Sequence, residues 1–198
     1  MNVELLTSVS SIADMERFAA IAALTCHANT DKEFVPCEVL GRIIKAGHES
    51  ILEHINLTYS ISGISRALLQ EVSRHRNISL SVESTRHTLR KNATEEFVHS
   101  KFSDVYKHDK AMGFVIFAQS KPDMPNDELK YYLPEFWPTN LILTSNVREL
   151  RHILNLRTAP AALKEFRNLA RAMYEAVPEQ FKYLLKAAVH DEADNDIN

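Results

Sequence analysis

Apolar residues recur at helical spacing from residue 11 to 28, where Ile12, Met15, Ala19, Ala22 and Ala23 form one stripe behind Ser10 and Ser11 as candidate N-caps. A second helix is predicted from Pro36, a favoured first-turn residue, through Val39, Leu40, Ile43 and Ile44, with Gly47 as its stop. The period then changes from 3.6 to 2. From Ile55 to Ser62, Ile55, Leu57, Tyr59 and Ile61 alternate with Asn56, Thr58, Ser60 and Ser62, which predicts a strand ended by Gly63. Residues 64 to 73 return to helical spacing and deliver Arg74-His75-Arg76 at the helix end, and a second extended stretch is expected over 80–90. Residues 91–102 read as polar and irregular, 103–120 as a helix, and the prolines at 122 and 125 as a loop. A strand over 139–145 and helices over 147–157, 160–176 and 178–190 complete the pattern.

The sum is an α+β chain with helices dominant. Its 198 residues suit one hydrophobic core, so residues 1–190 are expected to form a single domain, followed by a frayed acidic tail over 191–198. Hydrophobic residues at 45% and charged residues at 25% exclude the composition of a disordered chain. A net charge of -3 speaks against a protein that coats nucleic acid or an anionic membrane, so any basic cluster must act locally. No apolar run reaches the length of a membrane span, and the start at Met1-Asn2-Val3-Glu4 lacks the basic and apolar segments of a secretion signal. A cytoplasmic location with neither a nucleic-acid nor a membrane partner is expected. Cys26 and Cys37 lack any CxxC companion, which predicts two small buried residues and no zinc ribbon or disulfide framework. Four glycines leave no GxGxxG or P-loop, so a bound nucleotide would be held by side chains and helix ends.

The densest chemistry lies at Arg74-His75-Arg76, followed within ten residues by Ser79, Ser81, Ser84 and Arg86. The planar fork of arginine suits phosphate or carboxylate oxygens, and each charge-assisted bond contributes about 1.5–3 kcal/mol. Composition alone leaves two readings: an anion site, or a solvated basic turn favoured by the dipole at a helix end.

The spacing Arg-His-Arg, seven residues, then Ser84 resembles the signature of the flavin-dependent thymidylate synthases. Gly47-His48-Glu49-Ser50, Glu53-His54 and Ser65-Arg66-Ala67-Leu68 upstream, and Leu133-Pro134, Asn146-Val147-Arg148 and Leu156-Arg157 downstream, are similar to further blocks of that family in the same order. The resemblance implies a helix-rich single domain with a small antiparallel sheet, assembling as a homotetramer with active sites shared between subunits. It implies FAD as cofactor, dUMP as substrate, and NADPH and methylenetetrahydrofolate as cosubstrates. Flavin contacts would fall to Ser50, Arg74, His75, Arg76, Ser79, Asn146, Arg148, His152 and Leu156. Those to dUMP would fall to Glu71, Arg74, Ser84, Arg86, Lys130 and Arg157, with His48 a candidate near the folate or flavin rings. Arg157 matches the arginine that favours ionisation of the uracil N3, the catalytic role. The chain departs from the family's usual pattern at Glu71, where many members carry Gln, and at Ser81, Val82, His87, Lys130 and His152.

This chemistry suits the residues present. Methylating dUMP through a protein nucleophile needs an activated thiol, and neither cysteine sits in a basic run that would mark one. A flavin route dispenses with the thiol. On a helical projection Arg157 falls about 20° from Leu150, within the stripe of Val147, Ile153 and Leu154, which predicts a buried or ligand-facing guanidinium. The string His48-Glu49-Ser50-Ile51-Leu52 has no histidine where HExxH requires one, so no metal is expected. The competing class is a single-stranded RNA-binding module using Arg74, Arg76, Arg86 and Arg90 as a phosphate track, against which the negative charge and sparse interleaved aromatics weigh.

Overall fold

The computed structural model describes residues 1–26 and 33–190, so the acidic tail and the end of the first predicted helix lie outside the described residues. The chain opens with a short strand, β1 (Asn2–Leu5), which sequence patterning did not reveal because four residues give too brief an alternation. Helix α1 (Val9–Thr25) follows; its cap is Ser8, whose hydroxyl accepts from the Ser11 N–H at 3.2 Å, so the helix starts ahead of the predicted Ser10 and Ser11. Helix α2 (Pro36–Lys45) begins at its proline as expected. It closes in a Schellman arrangement in which Gly47, at φ 76°, donates to Ile44 and His48 donates to Ile43. That turn launches a 3-10 segment, Glu49–His54.

Strand β2 (Asn56–Ser65) does not stop at Gly63. The register shifts between Ser62 and Ile64, and Gly63 adopts φ 73°, so the strand bulges and runs on. The bulge resets the alternation: Leu57, Tyr59 and Ile61 are buried, and Ile64 is returned to the same side. Helix α3 (Arg66–Val72), capped by the Ser65 hydroxyl, leads through a turn at 73–77 into β3 (Ile78–Val82).

Beyond β3 the expected extension ends early. Residues 85–92 form α4 (Thr85–Asn92), and the segment read as irregular contains α5 (Glu95–Lys101), capped by Thr94. The cause is tertiary: Leu89, Ala93 and Val98 are buried against Phe114, Val115 and Trp137 in a second apolar cluster. Helices α6 (Val105–Ser120) and α7 (Asn126–Leu129) carry much of its other side. Arg90 stitches the loop between them, donating to the carbonyls of Ala118, Lys121 and Met124.

Strand β4 (Pro138–Asn146) passes into α8 (Val147–Arg157) as predicted, and Asn146 caps the helix. Helix α9 (Lys164–Glu175) starts later than expected because Arg167 ties off the preceding turn through the Pro160 and Ala162 carbonyls. The last predicted helix is instead two 3-10 turns, Glu179–Leu184 and Lys186–Ala188. The Leu184 carbonyl accepts from Arg151 at 2.7 Å in place of a helical N–H.

The four strands form one antiparallel sheet in the order β1-β2-β4-β3. Leu57, Tyr59, Ile61, Leu141 and Leu143 on one face pack in a single apolar cluster with Ile12, Leu150, Leu154, Phe166 and Leu169 of α1, α8 and α9. The other face carries Asn56, Thr58, Ser60, Asn140 and Thr144, the alternation of a sheet covered on one side. Cys26 and Cys37 are exposed rather than buried, at the end of α1 and in the first turn of α2, because the apolar stripes of those helices fall elsewhere.

Candidate functional site

The turn between α3 and β3 sends the three signature side chains in opposite directions. Arg74 and Arg76 point outward, whereas His75 is 8% exposed and is driven against α8 and α9. Its imidazole lies edge-on to Phe166 at 5.8 Å and to His152 at 6.1 Å. Arg157, the last residue of α8, comes to the same point. Its Nε donates to His75 Nε2 at 3.1 Å, its Nη1 lies 3.4 Å from Glu71 Oε2, and its guanidinium stacks 4.6 Å from the Phe166 ring centre. The apolar stripe thus does carry Arg157 inward. Glu71 also reaches Arg74, at 3.6 Å. On the far side of the imidazole, Glu149 Oε1 stands 3.4 Å from His75 Nδ1.

Burial is the main influence holding His75 below its ordinary pKa, the positive charge of Arg157 adds to it, and Glu149 opposes both. The ring is therefore neutral near pH 7. His75, Glu149 and His152 bring three potential metal donors within 4.8 Å of one another. A metal on His75 Nδ1 would force the ring proton onto Nε2, where it would confront the Nε–H of Arg157. The trio is better suited to hydrogen bonding than to a cation.

A polar cleft of about 800 Å³ opens beside this group, with Asn77, Asn146, Arg148, Glu149, His152 and Asn155 among its walls. Arg148 forms an ion pair there with Glu53. A larger cavity of about 1050 Å³, between the start of the chain and α5, is lined by Ser65 and Ala67 of one family-like block but by none of the residues expected to contact flavin or dUMP. Its walls mix Lys101 and Lys107 with Glu83, Asp104, Glu135 and Glu165, a poor match to an anionic ligand.

A second cationic group lies at the opposite end of β3. Arg86, in the first turn of α4, donates from Nε to both carboxylate oxygens of Asp127 at 2.8 and 2.9 Å, and Lys130 stands 3.6 Å from the same carboxylate. The hydrogen bond from Arg86 holds the Asp127 carboxyl below the usual range. Ser84 is the N-cap residue of α4 by position, yet its hydroxyl makes no cap bond.

The fold thus gathers Glu71, Arg74, His75 and Arg157 at one point, places Asn146, Arg148 and His152 along the adjoining cleft, and sets Ser84, Arg86 and Lys130 apart. Ile78 pairs with Ser145 and Val82 with Leu141, so β3, about 13 Å long at ~3.3 Å per residue, runs between the segment that carries His75 and the one that carries Arg86. Ser50 and His48 are exposed on the turn after α2, Ser79 and Arg76 are exposed on or before β3, and Leu156 is exposed on α8. Sequence reading missed Glu149 and Asp127, and it placed Glu53 in a family-like block without giving it a role. Glu149 stands three residues after the Asn146 cap, where a glutamate reads as half of a capping box. Glu53 and Asp127 meet their arginines across 95 and 41 residues, separations that no local pattern reveals.

A single sheet covered by helices on one face, a polar cleft and two arginine-centred groups at the ends of one strand define an α+β protein with its cationic side chains gathered at distinct points of one sheet edge. The family model for thymidylate synthase complementing protein matches residues 7–181. The chain is 37% identical over 183 residues to the flavin-dependent thymidylate synthase of Campylobacter jejuni, covering 83% of this chain and 84% of that protein. It is 35% identical over 176 residues to the enzyme of the same description from Helicobacter pylori strain 26695, covering 79% and 81%. A crystal structure of thymidylate synthase X from Helicobacter pylori with FAD and dUMP superposes with a TM-score of 0.82 at 29% identity, over 96% of this chain and all of that one. The chain belongs to the flavin-dependent thymidylate synthase family. Among the described residues no helix is long and apolar enough to cross a membrane.

Proposed function

We propose that this protein converts dUMP to dTMP by reductive methylation, with methylenetetrahydrofolate as carbon donor and NADPH as the reductant of FAD. The observation that carries the reading is the convergence of Arg74, His75, Glu71 and Arg157 beside a polar cleft. A family member of this fold holds FAD and dUMP.

The cleft residues fit a flavin nucleotide: Arg148 supplies a cation for a diphosphate, Asn146 an amide and His152 a ring. We assign flavin binding to Ser50, Arg74, His75, Arg76, Ser79, Asn146, Arg148, His152 and Leu156. FAD, when bound, supplies the redox chemistry by accepting hydride from NADPH and passing it on. The chain's own contribution is charge and orientation. Arg157, with its Nε engaged by His75 and one face on Phe166, would present a fixed positive charge to the uracil and favour its N3 anion, making C5 more nucleophilic. Glu71, Arg74, Ser84, Arg86, Lys130 and His48 complete the substrate contacts. The placement of Arg86 and Lys130 beyond the opposite end of β3 from the His75 and Arg157 group supports sites shared between subunits of a homotetramer, so that one chain supplies Arg157 and another Arg86. Residues 1–190 would act as one domain in a cytoplasmic enzyme with neither a nucleic-acid nor a membrane partner.

Purified protein is expected to be yellow, to lose its flavin absorbance with NADPH, and to form dTMP. Arg74→Ala should abolish dTMP formation, while Cys26→Ala and Cys37→Ala retain it. Colourless protein that binds no FAD on titration would overturn the proposal, and an inactive but folded cysteine variant would return the chemistry to a thiol.

A further inference from the structure

A guanidinium can only donate hydrogen bonds, so the 3.1 Å contact from Arg157 Nε to His75 Nε2 requires a bare lone pair on that nitrogen. The imidazole proton must then sit on Nδ1. A protonated ring would set N–H against N–H, and the other neutral tautomer would do the same. The atom facing Nδ1 is Glu149 Oε1, at 3.4 Å.

We propose that Glu149 is a positioning residue for Arg157, acting through His75: its carboxylate keeps the ring proton on Nδ1, leaving Nε2 free to fix the guanidinium. The inference rests on the role given to Arg157 above. Nothing in the sequence pattern or in the family resemblance pointed to this glutamate.

The carboxylate is built into place. The Glu149 backbone N–H donates to Asn146 Oδ1 at 2.8 Å, and Asn77 Nδ2 approaches Glu149 Oε2 at 3.4 Å from the same turn that carries His75. Its side chain is only 11% exposed. As a simple member of a capping box it would turn back to the start of its helix; it faces the imidazole and Asn77 instead. Burial and Arg157 both hold the ring neutral, which the relay requires.

At the other end, Arg157 is constrained on three sides: Nε by His75, Nη1 by Glu71, and one face by Phe166. Among the described residues its Nη2 makes no hydrogen bond. That amino group is the donor left for a ligand, and its direction is set by the Nε bond that Glu149 maintains. A wrong histidine tautomer therefore rotates the working edge of Arg157 without removing any residue that meets substrate.

The test is imidazole ¹⁵N spectroscopy of the flavin-loaded protein labelled at histidine, read beside steady-state kinetics. Wild-type His75 should show a neutral ring protonated at Nδ1. Glu149→Ala should shift it toward the Nε2-protonated form and lower kcat by roughly 10–100-fold, the scale on which losing a partner that orients a functional side chain is felt. Glu149→Gln keeps an acceptor oxygen and should restore the Nδ1 tautomer and most of the rate. It also removes the charge that favours ring protonation, so any acid limb of kcat set by His75 should move to lower pH. A wild-type ring protonated at Nε2 would overturn the proposal, and this reading stands by itself should the alanine variant not fold. An alanine variant with wild-type tautomer and kcat would overturn it equally. If the tautomer responds as expected while wild-type protein forms no dTMP, the reaction assigned above fails and the positioning geometry survives.

Discussion

Replacing Arg151 with methionine should loosen the joint on which the polar cleft proposed for flavin is hung. Arg151 is 8% exposed; its Nη1 donates to the Leu184 carbonyl at 2.7 Å, and its Nε and Nη2 donate to Glu49 Oε1 at 3.2 and 2.9 Å. Methionine retains an apolar stem of similar reach and loses every donor. The Leu184 carbonyl, in a residue 1% exposed, is then left without a partner, at a cost of about 1–3 kcal/mol. The Glu49 pair adds less, because that carboxylate keeps 33% of its side chain in water and can rehydrate; about 1 kcal/mol is a fair discount. The total of about 2–4 kcal/mol corresponds to a fall in Tm of about 4–16 °C for a chain of this length. Glu49 also opens the 3-10 turn that carries Ser50 and Glu53, and Glu53 is the partner of Arg148 in the cleft. Scanning calorimetry and FAD titration read the two consequences separately. An unchanged Tm would refute the accounting of the buried carbonyl, and a lower Tm with unaltered flavin affinity would refute the connection from the joint to the cleft.

Asp127→Asn should release Arg86 and Lys130 from their shared carboxylate and lower the KM for dUMP with little change in kcat; a raised KM would mean that Asp127 orients the cations instead of competing for them. The neutral His75 ring should make stability pH-dependent in a defined direction. Because its folded-state pKa lies below the ordinary value of 6.5, the unfolded chain takes up the proton first, so its contribution is complete above about pH 6.5 and is lost as pH falls toward the folded-state value. Between about pH 7 and about pH 5 the Tm of wild-type protein should therefore fall more steeply than that of His75→Asn, and parallel curves would refute the assignment.

Strand β2 was legible because one of its faces is buried and the other polar, which makes burial visible as alternation. The same rule fails at Gly63, where the bulge shifts the phase and conceals the last residues of the strand. Helices α4 and α5 were illegible for a different reason. Their buried residues are few, Leu89, Ala93 and Val98, and acquire meaning only when α6 supplies the opposing surface. At the site, Arg74, His75, Arg76 and Arg157 could be named because the family signature and the stripe of α8 mark them. Their partners could not. Glu149 carries the sign of a helix cap, and Glu71 was legible as a substrate contact but not as the link between Arg74 and Arg157.

Burial separates the two carboxylates of this group into different roles. The charges follow one another in the order Glu149, neutral His75, Arg157, Glu71, Arg74, so each cation already has an anion nearby. A ligand anion reaching Arg157 must therefore join or displace one of the carboxylates. Glu149 is held by Asn77 and the start of α8 with 11% of its side chain exposed, and removing it would leave the His75 Nδ1–H without an acceptor among the described residues. Glu71 keeps 34% of its side chain exposed, its contacts to Arg74 and Arg157 are long at 3.6 and 3.4 Å, and water can take their place at small cost. Glu71 is thus the carboxylate that can loosen its hold on Arg157 for an incoming anion while staying within reach of the substrate, and Glu149 is the one that stays. The loosening leaves Arg157 with its Nε bond intact, so the same guanidinium can take on the anion and still keep its orientation.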